Sequence, residues 1–133
     1  MTNYIWVTAQ RAMIHQYPDA PEGVEFLKNA HRHMFKFKVS IEVMHNDRDI
    51  EFILFKQFVE KILVSLDADL KEKSCEMISD YLYYEINAKH PNRNIIIEVS
   101  EDGENGSLYE YKTEDMEQAD KGNGKITDYV DKS

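Results

Sequence analysis

The 133-residue sequence holds one cysteine, three prolines, five glycines and one tryptophan. A single cysteine excludes an internal disulfide and any multi-cysteine zinc site, and suits a reducing compartment. No apolar run approaches the ~18 residues of a membrane-spanning helix. The opening residues, Met1-Thr2-Asn3-Tyr4-Ile5-Trp6, lack the basic end of a signal peptide. The expectation is a cytoplasmic protein with no membrane partner. Positive charge is scarce: 16 Lys and Arg stand against 25 Asp and Glu, for a net charge of −9. That balance argues against non-specific nucleic-acid binding. The excess is uneven, because residues 1–100 carry 12 basic and 15 acidic side chains whereas residues 101–133 carry 4 and 10. The first hundred residues are therefore close enough to neutral to hold an anionic ligand in a local basic pocket.

What the chain does contain reads as an ordinary globular composition, 42% hydrophobic and 31% charged, with length for one core. Residues 4–15 run without a breaker and predict a strand, although Arg11 interrupts its inner face. A turn-rich loop follows, Pro18-Asp19-Ala20-Pro21-Glu22-Gly23. The clearest strand spans 31–43, where His31, His33, Phe35, Phe37, Val39, Ile41 and Val43 alternate with mostly polar residues and so share one face. After a polar turn, Phe52, Phe55, Val59, Ile62, Leu63 and Leu66 recur at helical spacing. A second helix is expected from about Ser74 to Ala88, ending before His90-Pro91-Asn92. Ile95 to Val99 and Ser107 to Tyr111 predict two more strands, joined by a hairpin turn at Gly103-Glu104-Asn105-Gly106. The order strand, strand, helix, helix, strand, strand predicts an α+β domain over residues 1–112, with an acidic, loose tail over 113–133.

The chemistry-bearing pattern is histidine. His31 and His33, two apart on a strand, project to one side, and His15 ends the preceding strand. Antiparallel pairing would bring those ends together, and a catalytic zinc site takes three protein ligands and an open position. Polar strand-end histidines without any ligand share the same spacing, so the pattern alone leaves both readings open. His45 and His90 lie in turns and are expected to be solvated.

With these elements in place, the chain resembles the tunnelling-fold (T-fold) enzymes. These comprise 6-pyruvoyltetrahydropterin synthase and its bacterial relative, 6-carboxytetrahydropterin synthase of the queuosine pathway. The similarity covers roughly residues 9–111. His15 and the following Pro18-Asp19-Ala20-Pro21-Glu22-Gly23 resemble the first zinc histidine and the Pro-x-x-Pro-Glu-Gly loop of the bacterial branch. His31-Arg32-His33 stands where the family has His-Gly-His. Ile50-Glu51-Phe52 with Lys56, Leu66-Asp67, Ser74-Cys75-Glu76 and Ile97-Glu98-Val99-Ser100-Glu101 follow in the family's order.

The resemblance implies a T-fold, an antiparallel four-stranded sheet with two helices on one face, that assembles through its edge strands into a trimeric barrel, often stacked as a hexamer. It implies zinc on His15, His31 and His33, and Glu101 as the anchor of a pterin ring. The implied reaction is a carbon–oxygen lyase step on a dihydroneopterin triphosphate-type substrate, with loss of triphosphate. The sequence departs from the family at the catalytic positions. No cysteine occupies Glu25-Phe26-Leu27-Lys28-Asn29-Ala30, where the family's thiol lies, and Ala68 replaces the histidine after Leu66-Asp67. A carboxylate whose pKa is raised by burial can replace a thiol as base, and Glu25 is expected in that role, ahead of Glu22, with Asp67 as the surviving partner. Cys75 is expected to be a small core residue, and Arg11 and Arg32 surface charges or phosphate contacts. The alternative is a catalytically silent or repurposed homologue that binds a pterin or purine-like ligand.

Overall fold

A computed structural model describes residues 1–66, 69–71 and 73–115. Strand β1 (Asn3–His15) leads through a loop and a short 3-10 helix (Glu25–Lys28) to β2 (His31–Val43). Helix α1 (Phe52–Ser65), strand β3 (Asp69–Lys71), helix α2 (Cys75–Lys89), and strands β4 (Ile95–Glu101) and β5 (Asn105–Tyr111) follow. The domain is α+β, as expected, with one strand more than expected. The sheet has five strands in the order β3-β1-β2-β4-β5, antiparallel except that β3 runs parallel to β1. Strand β3 pairs only with Ile14 and His15, across a register shift. Three residues offer too little alternation to mark a strand in sequence, and only the chain's return beside the end of β1 makes them one.

Alternation along the strands builds the core. Phe35, Phe37, Val39 and Ile41 of β2 and Ile95, Ile97 and Val99 of β4 are buried on one face. They share one cluster with Phe55, Val59, Ile62 and Leu63 of α1 and Ile78, Leu82 and Ile86 of α2. Both helices begin on side-chain caps: a Glu51 carboxylate oxygen accepts from Leu54 N at 2.8 Å, and Ser74 Oγ accepts from Met77 N at 3.2 Å. Helix α2 ends at Lys89, one residue past the expected Ala88 and before His90-Pro91-Asn92, as the sequence predicts. Arg11, the charge on the inner face of β1, is neither a surface charge nor free for a phosphate. Its guanidinium donates to the carbonyl of Leu63, which also accepts from the Leu66 amide, and, at 2.6 Å, to that of Leu66, the residue that caps the end of α1.

At the far end of β2 a polar clasp fixes the loop to α1. Arg93 donates to Glu42 O at 3.0 Å and to Asp49 Oδ2 at 2.7 Å, and Asp49 also accepts from Met44 N. The Arg93 side chain and the Met44 amide hold the Asp49 carboxyl down at a pKa of about 2. The β4–β5 turn falls at Asp102–Glu104, slightly earlier than the expected Gly103–Gly106, with Asp102 (φ 58°) and Gly103 (φ 73°) both left-handed. Strand β5 accordingly begins at Asn105. Gly106 is fixed by packing, because a Cβ there would lie 1.9 Å from Val99 O.

Among the described residues, the side of β1 away from β2 has no strand partner before Ile14, and neither has the outer side of β5. No described helix is long and apolar enough to cross a membrane. Of the expected C-terminal tail, residues 113–115 form a helical turn, with Thr113 N donating to Asn94 Oδ1 at 3.0 Å. The rest of that tail lies outside the described residues.

Candidate metal centre

The pairing of β1 with β2 sets His15 directly opposite His31 and Met13 opposite His33. The pairing of β2 with β4 sets Phe35 opposite Glu101. Directly paired residues point to the same face, so the three histidines and Glu101 gather where the apolar face of the sheet ends. Ring centroids are 4.4 Å apart for His15 and His31, 4.8 Å for His31 and His33, and 5.3 Å for His15 and His33. Phe35 closes the inner side, with its ring 5.3 Å from that of His15 and 6.2 Å from that of His33.

Each imidazole is held by its surroundings. His31 Nδ1 lies 2.8 Å from Asn29 O, and His33 Nδ1 lies 2.6 Å from Asp102 Oδ2. The backbone of Lys73 hydrogen-bonds His15. The three Nε2 atoms, by contrast, are buried and make no hydrogen bond. One ring nitrogen from each histidine lies within 4.8 Å of those of the other two. Glu101 sits beside them at ion-pair range without hydrogen-bond geometry, Oε1 at 3.5 Å from His15 Nε2 and Oε2 at 3.3 Å from His33 Nε2. Burial lowers the His15 pKa first of all; the Glu101 carboxylate opposes that, and His31 and His33 add to it. The lowered pKa favours the neutral imidazole of His15, the form in which histidine binds metals.

Three convergent imidazole nitrogens, none of them hydrogen-bonded, can bind a metal ion, and the histidines singled out in the sequence are the ones the fold brings together. Buried polar atoms without partners are rare, because each loses its water without compensation. An ion satisfies all three at once, and a nitrogen-rich set suits zinc and several other divalent metals.

The expected acid–base residues fare differently. Glu25 lies on the exposed 3-10 helix, where it accepts from Gly23 N at 2.9 Å. Backbone amides of Gly23 and of Glu25 itself lower its pKa, so the expected elevation by burial is corrected. Glu22 is exposed as well. Asp67 and Ala68 lie outside the described residues. Cys75 is a buried core residue, as expected, and burial, aided by Glu101 and Glu76, pushes its thiol up to about 12. Arg32 is exposed. His45 is exposed, 3.6 Å from an oxygen of Asp49. His90 is not solvated as expected: it is half-buried against Phe55 and Phe58, and burial lowers its pKa.

Asp102 was not singled out by the sequence, whose expected turn begins one residue later, at Gly103. The one available signal was its position directly after Glu101 on a strand leading to the site. A groove of about 780 Å³ lies elsewhere, lined by Lys36, Lys38, Lys56, Gln10, Glu98 and Ser100 among others, and none of the histidines borders it.

Compared with known proteins, the chain matches no family model and no curated sequence.

Proposed function

We propose that the chain is a zinc-dependent, T-fold protein of the 6-pyruvoyl/6-carboxytetrahydropterin synthase type, acting on a dihydroneopterin triphosphate-like substrate. The observation that carries this reading is the convergence of three buried Nε2 atoms without a hydrogen bond, from His15, His31 and His33. Zinc held there would polarise the oxygens of the substrate side chain and ease removal of the adjacent carbon-bound proton. Glu101 lies beside the same nitrogens, within reach of a ring docked against them, and its carboxylate can accept hydrogen bonds from pterin amino and ring nitrogens. The unpaired sides of β1 and β5 support assembly of copies through their edges into a trimer or hexamer, since exposed strand edges favour further pairing. A monomer in sedimentation would remove that part of the proposal.

The test is to incubate zinc-loaded protein with 7,8-dihydroneopterin triphosphate and identify products by mass spectrometry, with His31→Ala as control. Zinc-dependent triphosphate loss supports the lyase. A second reading, a silent or repurposed homologue that binds a pterin or purine-like ligand, is favoured by two observations. Glu25 is exposed with a lowered pKa, and the only thiol is buried and protonated. Neither offers a poised base. Unchanged substrate with zinc bound would select that reading.

A further inference from the structure

We propose that Asp102 is a positioning residue of the metal centre, which holds His33 as the Nδ1-protonated tautomer so that its Nε2 lone pair faces the ion. This inference rests on the metal site proposed above and adds to it the residue that sets one ligand's tautomer. Asp102 opens the β4–β5 turn in the left-handed region, at φ 58°, where a side chain is disfavoured and glycine is not. An Asp-Gly pair suits such a turn, so the backbone alone says nothing of a site. The carboxylate does. Neither of its oxygens serves the turn: Oδ1 accepts from Met34 N at 2.9 Å and Oδ2 meets His33 Nδ1 at 2.6 Å. The Asp102 amide in turn donates to Met34 O at 2.8 Å, so the residue is clamped against β2 from both its backbone and its side chain.

An ionised carboxylate only accepts hydrogen bonds. The proton of a neutral His33 must therefore sit on Nδ1, which leaves the lone pair on Nε2, among the nitrogens of His15 and His31. The Asn29 carbonyl, also an acceptor only, imposes the same tautomer on His31. His33 is thus held through a side chain that substitution can change, whereas His31 is held through backbone. Outer hydrogen bonds of this type orient metal-bound imidazoles, and losing one commonly weakens metal binding by about 10–100-fold.

The test compares wild type, Asp102→Asn and Asp102→Gly by competition for zinc against a chromophoric chelator. It also reads the histidine tautomers of the metal-free proteins by nitrogen-detected NMR. In Asp102→Asn the amide oxygen can keep the Met34 N–H, which turns the amide NH2 toward His33 Nδ1 and disfavours the required tautomer. Asp102→Gly removes the acceptor and relaxes the left-handed turn. Expected results are a zinc affinity lower by about 10–100-fold in both variants, an Nδ1-protonated His33 in the wild type and a changed His33 tautomer in Asp102→Asn. The urea midpoint of metal-free Asp102→Gly should be unchanged or raised, a separation that a purely structural residue would not show. Zinc affinities within twofold of wild type, or a wild-type His33 protonated on Nε2, would overturn the inference alone. A wild type that binds no zinc would overturn the metal site and this inference together.

Discussion

Along β2, residues 31–41 present one face, and its two parts do different work. Phe35, Phe37, Val39 and Ile41 are buried beneath the helices, while His31 and His33 continue the same row four and two residues before Phe35. Backbone geometry is the same in both parts, so it cannot be what distinguishes them. In the first part apolar side chains meet apolar partners, and burial is stabilising outright. In the second the buried atoms are polar, their outer nitrogens are partnered, and the inner ones are not. The core is complete in itself, whereas the histidine end leaves three buried ring nitrogens that could bind a metal ion.

The sharpest way to break that distinction is to damage the residue at the boundary. Phe35 is fully buried and touches the rings of His15 and His33, so Phe35→Ala should lower stability by about 3–5 kcal/mol. Urea unfolding measures the loss, and the same variant should bind zinc more weakly because its cavity lets two ligands move. If zinc binding survives the loss of stability unchanged, the two parts of the face are more independent than the ring contacts indicate.

Next in size is the response to metal. Zinc at a hundredfold excess over its dissociation constant should stabilise the wild type by about 2.7 kcal/mol in thermal or denaturant unfolding. His31→Ala should lose that increment while its metal-free stability stays near that of the wild type. Lowering the pH from 7.5 to 5.5 should shrink the increment, since protons compete with the ion for the imidazoles. An equal zinc response in both proteins would place the metal elsewhere.

The opposite end of β2 provides a comparison with no ligand involved. The Asp49 carboxyl titrates at about 2 in the fold against an ordinary 3.8, so the folded state binds fewer protons than the unfolded state through that range. Its contribution is therefore complete above roughly pH 5 and lost as the pH falls toward 2. Asp49→Asn should be less stable than wild type at pH 7, and the two unfolding curves should converge near pH 2 without any dependence on zinc. Parallel curves over that range would remove Asp49 from the acid response.

The smallest effects belong to Cys75 in the core and to Glu25, the residue expected as base. Cys75, buried with its thiol near 12, should resist alkylation at pH 8 in the native protein and react once unfolded. Glu25→Gln should leave zinc affinity unchanged, because Glu25 is exposed and bonded to Gly23. Rapid native labelling of Cys75 would show that the core opens around it.

The histidine site was legible because its spacing obeys the simplest rule of strands. Residues two apart share a face, and a pair of antiparallel strands brings the end of one to the start of the next, so His15, His31 and His33 could be grouped before any coordinate was known. The same alternation puts Glu101 on the face of Ile95, Ile97 and Val99, whereas its part in a site came from the resemblance. Strand β3 was not legible, being three residues whose only partner is the end of β1. Arg11 looked like a flaw in its strand until the last carbonyls of α1 were seen to need it. His90 read as a turn residue because the Phe55 and Phe58 rings against which it packs are more than thirty positions away.

Sequence by itself determined which side chains share a face, where the helices start and stop, and which imidazoles could meet, because these are local periodicities and caps. Only the tertiary structure decided the distances between those imidazoles, the burial of their inner nitrogens, and the carboxylate that fixes the His33 tautomer. His33 and Asp102 are 69 residues apart in the chain. Their contact exists because the β2–β4 register and one left-handed turn place them together, and pairing register is a property of two segments at once.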